Sequence, residues 1–429
     1  MKILLKTREL LVRILSRGES LISALLGQAS SSISSVLVSA WLIFLAPKEQ
    51  FGVYSLCFSI SIVCAGMISS GLIIQFAVYL PSKQKEIHSA SLNTYLAIIT
   101  GLCAAGTALG VAADLSGLFS FSLLKQTLIC GAMTWAISSR ELILRYMMYR
   151  EDHREIRSSS LILLASTTGF LLIPQPFSSP LVWAAFAYSA GILLSLFPCV
   201  LRNRKGVSQV TPTSMWEAVT ESWHGGRWGI VSNAFFSIRN QAHTLILAPL
   251  GPSIVADVNA ARLVFMPMYQ IAPVISQLGL GAIAKLRSTD ELEAVRYGQR
   301  LAKFAVTPIL AFGILVSICA VVMKTTLIPE QYWNSTHYLL GWCLVTSAMA
   351  GRIAYSTTLQ ALQQFKSVAS GNIASLFALF GVWMVLKDTA GAPAVLYAMA
   401  GSEACVMLIY MRKISLIKSK ILLQGSRKS

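Results

Sequence analysis

Residues 21–80 read LISALLGQASSSISSVLVSAWLIFLAPKEQFGVYSLCFSISIVCAGMISSGLIIQFAVYL, with Lys48 and Glu49 as their only charged residues. Two apolar runs flank a joint of five residues, Pro47-Lys48-Glu49-Gln50-Phe51. Each run exceeds the ~20 residues that a helix needs to cross hydrocarbon. Neither alternates apolar and polar residues with period two, so helices are expected rather than barrel strands.

The same grammar repeats along all 429 residues. Apolar spans are predicted at 21–46, 52–80, 89–113, 122–148, 158–174, 180–201, 227–249, 255–284, 301–323, 337–362, 368–386 and 393–411. Breakers mark the joints: Pro47 and Gly52, Pro81, Pro174 to Pro180, Pro249 to Pro252, Pro329, and Gly391 to Pro393. Hydrophobic residues make up 55% and charged residues 12%, about half the charged share of a soluble domain. A polar surface for a soluble protein of this size cannot be built from that composition. The predicted fold class is an all-α polytopic membrane protein of about twelve transmembrane helices.

The net charge of +17 would suit nucleic-acid binding if the basic residues shared one face. They are instead sorted into alternate joints, with about 26 Lys and Arg on one side and about four on the other. Lys and Arg resist translocation, so the rich side is cytoplasmic and holds both termini. The expected location is a bacterial inner membrane, with no nucleic-acid partner.

The longest joint, near residues 202–226, divides the spans six and six. The expected organisation is an amphipathic cytoplasmic segment at 1–20, a six-helix bundle at 21–201, a cytoplasmic linker at 202–226, a second bundle at 227–411 and a basic tail at 412–429. The first segment interleaves charges with Leu and Ile, as a surface-lying helix does, and lacks a signal-peptide cleavage pattern. Leu45-Ala46-Pro47-Lys48-Glu49-Gln50-Phe51-Gly52-Val53-Tyr54 has a faint counterpart in Leu250-Gly251-Pro252-Ser253-Ile254-Val255-Ala256-Asp257-Val258-Asn259. Two pseudo-symmetric halves with a substrate path at their interface are a common transporter plan.

Chemistry of other classes is missing from the sequence. The eight cysteines lie singly inside apolar runs and read as small buried hydrophobes, not as disulfides or zinc ligands. There is no catalytic triad and no Gly-x-x-x-x-Gly-Lys-Ser/Thr loop, and no cofactor is expected. A proton or sodium gradient stays open as the energy source. No outer joint is long enough for the acceptor chemistry of a glycan polymerase.

Several segments resemble the polysaccharide (O-antigen type) flippases of the multidrug/oligosaccharidyl-lipid/polysaccharide exporter superfamily. Ala46-Pro47-Lys48-Glu49-Gln50-Phe51-Gly52-Val53-Tyr54 is similar to their joint between helices one and two. Ile328-Pro329-Glu330-Gln331-Tyr332, Leu359-Gln360-Ala361-Leu362 and the stretch from Gly391-Ala392-Pro393-Ala394 to Ser402-Glu403 are further likenesses. Asp257 stands where that family often has Gly, and Ile328-Pro329-Glu330 replaces a turn that usually contains Gly. Twelve spans are two fewer than in the similar lipid II flippases. The resemblance implies alternating-access transport of an undecaprenyl-pyrophosphate-linked oligosaccharide, with membrane lipids and glycan polymerase or assembly proteins as partners. Small-molecule export of the multidrug type is the alternative, and a membrane polymerase is a weaker one.

A few ionisable residues escape the sorting, and an intramembrane charge normally faces a cavity or a partner. Arg239 falls near the middle of span seven in Arg239-Asn240-Gln241-Ala242-His243, with His243 on the same helical face. Guanidinium matches phosphate oxygens bidentately, so Arg239, Arg262, Arg352, Asn240 and His243 form the candidate pyrophosphate and glycan site. The plainer readings are a structural ion pair for Arg239, snorkelling for Arg262, pairing with Glu403 for Arg352 and a hydrogen-bonded structural imidazole for His243. Glu403, mid-span in the last helix, is the candidate coupling residue or half of a static salt bridge. Arg140, Glu141 and Arg145 are expected at the inner interface, and Trp41, Tyr79, Tyr332 and Trp333 in aromatic belts.

Overall fold

The computed structural model describes residues 23–426 except 24–25, 28, 80–87, 117–123, 151, 175–178, 204–211, 288–289 and 323–328. The 1–20 segment and Gln28 lie outside the described residues. Among the described residues there is no strand.

The first helices are α1 (Ala29–Leu45), α2 (Lys48–Ile68, continued by a π-helical turn at Ser69–Ile73 and by Ile74–Tyr79) and α3 (His88–Leu115). They are followed by α4 (Leu124–Tyr149), α5 (His153–Leu172) and α6 (Pro180–Asn203). Then come α7 (Pro212–Asn240), the short α8 (Ala242–Leu247), α9 (Pro252–Arg287) and α10 (Glu291–Val322). A 3-10 stretch at Glu330–Tyr338 leads into α11 (Leu339–Ala361), α12 (Phe365–Ala390) and α13 (Ala394–Ser426). Every predicted span has its helix, with α7 and α8 together forming the seventh. Pro180, Pro212 and Pro252 each open a helix, where the missing N–H would have no partner. Gly251 (φ 109°) and Gly391 (φ 59°) supply the left-handed residue just before α9 and just after α12.

Among the described residues, six stretches are long and apolar enough to cross a membrane: Lys48–Phe76, Ala90–Leu115, Pro180–Leu201, Glu291–Ala320, Lys366–Ala390 and Ala394–Leu423. The more polar α11 is shielded by its neighbours. In α11, 18 of 23 residues are buried, so its Ser, Thr and Arg side chains meet protein, not lipid. Outward faces carry bare apolar side chains such as Leu109, Phe304 and Phe377, as contact with acyl chains requires.

Some helices outrun their apolar spans. α7 begins at Pro212 and takes in the second half of the expected linker, while α13 continues through most of the basic tail. Hydropathy marks where lipid ends, but nothing obliges the hydrogen-bonded helix to end there too.

The chain forms two compact units: residues Met1–Ala46 with Cys57–Ala234, and Pro47–Leu56 with Phe235–Ser429. The second therefore starts at Phe235 and includes the first turns of α2. The core of the first unit joins Ile73 and Phe76 of α2, Leu92, Tyr95 and Ile99 of α3, Leu142 and Met147 of α4, and Leu196 of α6. Gly71 meets α7 backbone to backbone there, since a Cβ on Gly226 would lie 2.2 Å from its carbonyl oxygen. The core of the second unit centres on Trp342 and Cys343 of α11 at one level and on Ala354, Leu359, Val406 and Tyr410 at another.

Candidate functional site

The α7–α8 break places polar side chains inside the second unit. Gln241 (φ −102°, ψ 8°) leaves the helical path between the two helices. Its N–H still reaches Ser237 O at 3.0 Å, and its carbonyl accepts from Thr244 N and Leu245 N at 3.0 Å. The chain therefore kinks without unravelling, and Arg239, Gln241 and His243 all turn inward and are buried.

Two clusters result. In the first, Glu403 of α13 sits between two guanidiniums. Nε of Arg352, on α11, donates to Glu403 Oε2. Nη2 of Arg239 lies 3.3 Å from Oε1, and its Nη1 donates to Ser375 Oγ of α12 at 2.7 Å. Arg239, Arg352 and Glu403 are 2%, 5% and 4% exposed. Three residues far apart in sequence thus form one Arg–carboxylate–Arg triad, and the salt-bridge geometry read as the plainer option for Arg352 is the one present.

The second cluster surrounds Arg262, which is half-buried on α9. Its guanidinium lies over the rings of Tyr269 and Trp342, at 5.4 and 5.6 Å from their centroids. Nη1 donates to Gln241 Oε1 at 3.3 Å and approaches His243 Nε2 at 3.4 Å. His243 also lies 3.3 Å from Asn259 Oδ1 and edge-on to Trp342 at 4.8 Å. Asn259 Nδ2 donates to Thr244 Oγ1 at 3.1 Å, and Trp342 Nε1 to Val258 O at 2.8 Å. Arg262 is therefore held by aromatic faces and neutral acceptors and does not snorkel outward. Asn240 is half-buried and meets the second cluster through its backbone, beside His243.

Ser375, Gln241, Tyr269 and Trp342 are contacts that sequence reasoning missed. Ser375, Tyr269 and Trp342 are unremarkable residues in apolar runs and Gln241 is one more polar residue beside Arg239; only the approach of another helix gives each its role.

Arg140 departs from its expected interfacial position. It is 4% exposed in the first unit, where Nη1 donates to Ser31 Oγ and Nη2 to Ser30 Oγ and Gly27 O, the latter two at 3.0 Å. The serine cluster of α1 replaces headgroups as its solvent. Among the described residues no carboxylate pairs with it, because Glu141 points to Arg145 (2.8 Å) and to Ser69 Oγ (2.6 Å).

The two repeat-like joints meet in the second unit. Lys48 Nζ pairs with Asp257 Oδ2 at 2.8 Å and lies over Tyr332, and Ser253 Oγ donates to Glu49 Oε1 at 2.9 Å. Asp257, read as a departure from the family pattern, is thus an ion-pair partner. Tyr332, expected in an aromatic belt, is 1% exposed and packs edge-on to Phe51. Among the described residues no group of His, Cys, Asp and Glu could hold a metal ion.

An all-helical, multi-pass membrane protein with arginines inside one helical unit is the class these features define. The sequence matches no known family profile and no curated relative. Solved structures do match. The inward-facing conformation of a multidrug resistance MATE family transporter of the MOP superfamily superposes with a TM-score of 0.68 at 12% identity, covering 91% of this chain and 95% of that one. The lipid II flippase MurJ, inward closed, gives 0.71 at 11% identity over 94% and 87%. A MOP superfamily transporter from Pyrococcus furiosus, described as having a binding pocket of reverse polarity, gives 0.58 at 12% over 94% and 95%. The chain has the fold of these transporters, with two six-helix halves.

Proposed function

We propose that the protein is a flippase. It would carry an undecaprenyl-pyrophosphate-linked oligosaccharide, the repeat unit of an O-antigen or similar surface polysaccharide, from the inner to the outer leaflet of a bacterial inner membrane by alternating access. One observation carries this reading. Among the described residues, the interior of the second unit holds Arg239, Arg262 and Arg352 against Glu403 and, apart from them, the Lys48–Asp257 pair, an excess of two formal positive charges. Excess buried positive charge needs an anion, and a pyrophosphate suits guanidinium geometry. In this reading Arg239, Arg262 and Arg352 hold the pyrophosphate, Asn240 and His243 contact the glycan, and the polyprenyl chain stays in lipid. Glu403 would be the coupling group for a proton or sodium gradient. Both termini would be cytoplasmic, and glycan polymerase or assembly proteins would act next.

Likeness to MurJ, a lipid II flippase by name, supports a lipid-linked cargo. Likeness to MATE transporters supports the second reading, export of small molecules. The charge balance favours the first, because like charges repel and cationic drugs would meet a cationic interior.

Single replacement of Arg239, Arg262 and Arg352 by Gln tests the proposal, with outer-leaflet lipid-linked glycan measured alongside protein level. Flipping per unit of protein is expected to fall, by more than the protein level lost with the destabilised variants accounts for. Normal flipping in all three would sink the proposal, and loss that merely tracks protein level would leave the arginines a structural role.

A further inference from the structure

The triad is incompletely bonded in an informative place. Among the described residues, Nε and Nη2 of Arg239 find no hydrogen-bond partner, although Nη2 lies 3.3 Å from Glu403 Oε1. That oxygen is close enough for an ion pair and out of line for a hydrogen bond. The Nε–Nη2 edge is one that a guanidinium uses to grip two oxygens at once. Here it is buried and unfilled, a condition that is expensive inside a protein. Glu403 gives its other oxygen to Nε of Arg352. One carboxylate is therefore shared, one oxygen to each arginine, and fills neither fork.

We propose that Glu403 is an internal stand-in for the cargo's anion, displaced by a diphosphate and not by a single phosphate. This rests on reading the arginines as the pyrophosphate site and adds how that site selects. The two phosphoryl groups of a diphosphate each present non-bridging oxygens, so Arg239 and Arg352 can both be met bidentately by one ligand. A carboxylate has too few oxygens to do this, and a lone phosphate must draw both guanidiniums to one phosphorus centre, whereas a diphosphate offers each its own phosphoryl group. In the empty carrier Glu403 keeps the two guanidiniums compensated and in place. It also sets a charge threshold, since a ligand must outcompete an anion already at the site.

The test uses the full-length protein in lipid nanodiscs, titrated calorimetrically with inorganic pyrophosphate and, separately, inorganic phosphate. Glu403→Gln keeps the shape and removes the competing charge. It should bind pyrophosphate at least about tenfold more tightly than wild type, or about 1.4 kcal/mol, with little change for phosphate. Glu403→Asp, a shorter carboxylate that retains the charge, should shift in the same direction by less, and it serves if the Gln variant does not fold. Adding Arg239→Gln to Glu403→Gln should abolish the gain. Equal pyrophosphate affinity in wild type and both Glu403 variants, lost on Arg239→Gln, would overturn the stand-in role and leave the anion site intact. No pyrophosphate binding by any folded variant would overturn both.

Discussion

Arg352 and Glu403, 51 residues apart in sequence, are joined by a hydrogen-bonded ion pair that ties α11 to α13 in the interior of the second unit. Breaking a buried pair from one side leaves an uncompensated charge, at a cost of ~3–5 kcal/mol. Arg239 remains beside Glu403 and should soften the loss for Arg352→Gln, so its cost is expected at the lower end. An Arg352→Met/Glu403→Met double variant should still be hurt, because Arg239 then has no carboxylate. Adding Arg239→Met should recover much of the stability. Thermal unfolding of the purified variants checks the order, and a triple variant less stable than the double would contradict it.

Arg140 makes the opposite case, a buried guanidinium bonded only to neutral oxygens of Ser30, Ser31 and Gly27. Replacing Ser30 and Ser31 together by Ala strands buried donors, expected to cost about 1–3 kcal/mol for each unsatisfied group. Replacing Arg140 by Met in that background removes the donors as well, and should restore stability. The readout is the melting temperature of the three variants in one detergent.

Gly52 approaches the backbone at the start of α9 so closely that a Cβ would lie 1.8 Å from Pro252 O. Gly52→Ala must separate α2 from α9 and strain the Lys48–Asp257 pair. Overpacking of this kind costs ~1–3 kcal/mol and sometimes more. Gly101, on α3, has nothing within 4 Å of its Cβ position. Gly101→Ala should be neutral or stabilising by up to about 1 kcal/mol. Expression level and unfolding temperature should fall for Gly52→Ala and hold or rise for Gly101→Ala.

Trp342 supports Arg262 by stacking and anchors itself through Nε1 to Val258 O. Trp342→Phe removes the hydrogen bond and weakens the cation–π contact, each worth about 1 kcal/mol. If Arg262 holds cargo, the half-saturating lipid-linked glycan concentration should rise several-fold while the maximal flipping rate changes less. A fall in maximal rate alone would place Trp342 outside the binding step.

Much of this architecture was legible in the residues. The joint at Pro47 to Gly52 was recognisable because proline, glycine and a pair of charges interrupt two uniformly apolar runs. Helix ends were less legible: α7 starts at Pro212, inside what hydropathy assigned to a linker. The interior charges divided in the same way. Arg239, Arg262, Arg352 and Glu403 announced themselves by depth alone, whereas Arg140 looked interfacial because its serine partners belong to another helix.

The sequence by itself determined that the chain lives in lipid, how many helices it builds and where they are joined. Transfer of some twenty consecutive residues between water and hydrocarbon is a local, additive quantity. Tertiary structure alone decided that one carboxylate serves two arginines, that Arg262 rests on Trp342 and Tyr269, and that Lys48 finds Asp257 at a separation of 209 residues. An ion pair or a stacked ring depends on ångström-scale placement of residues remote in the chain, and no local pattern records it.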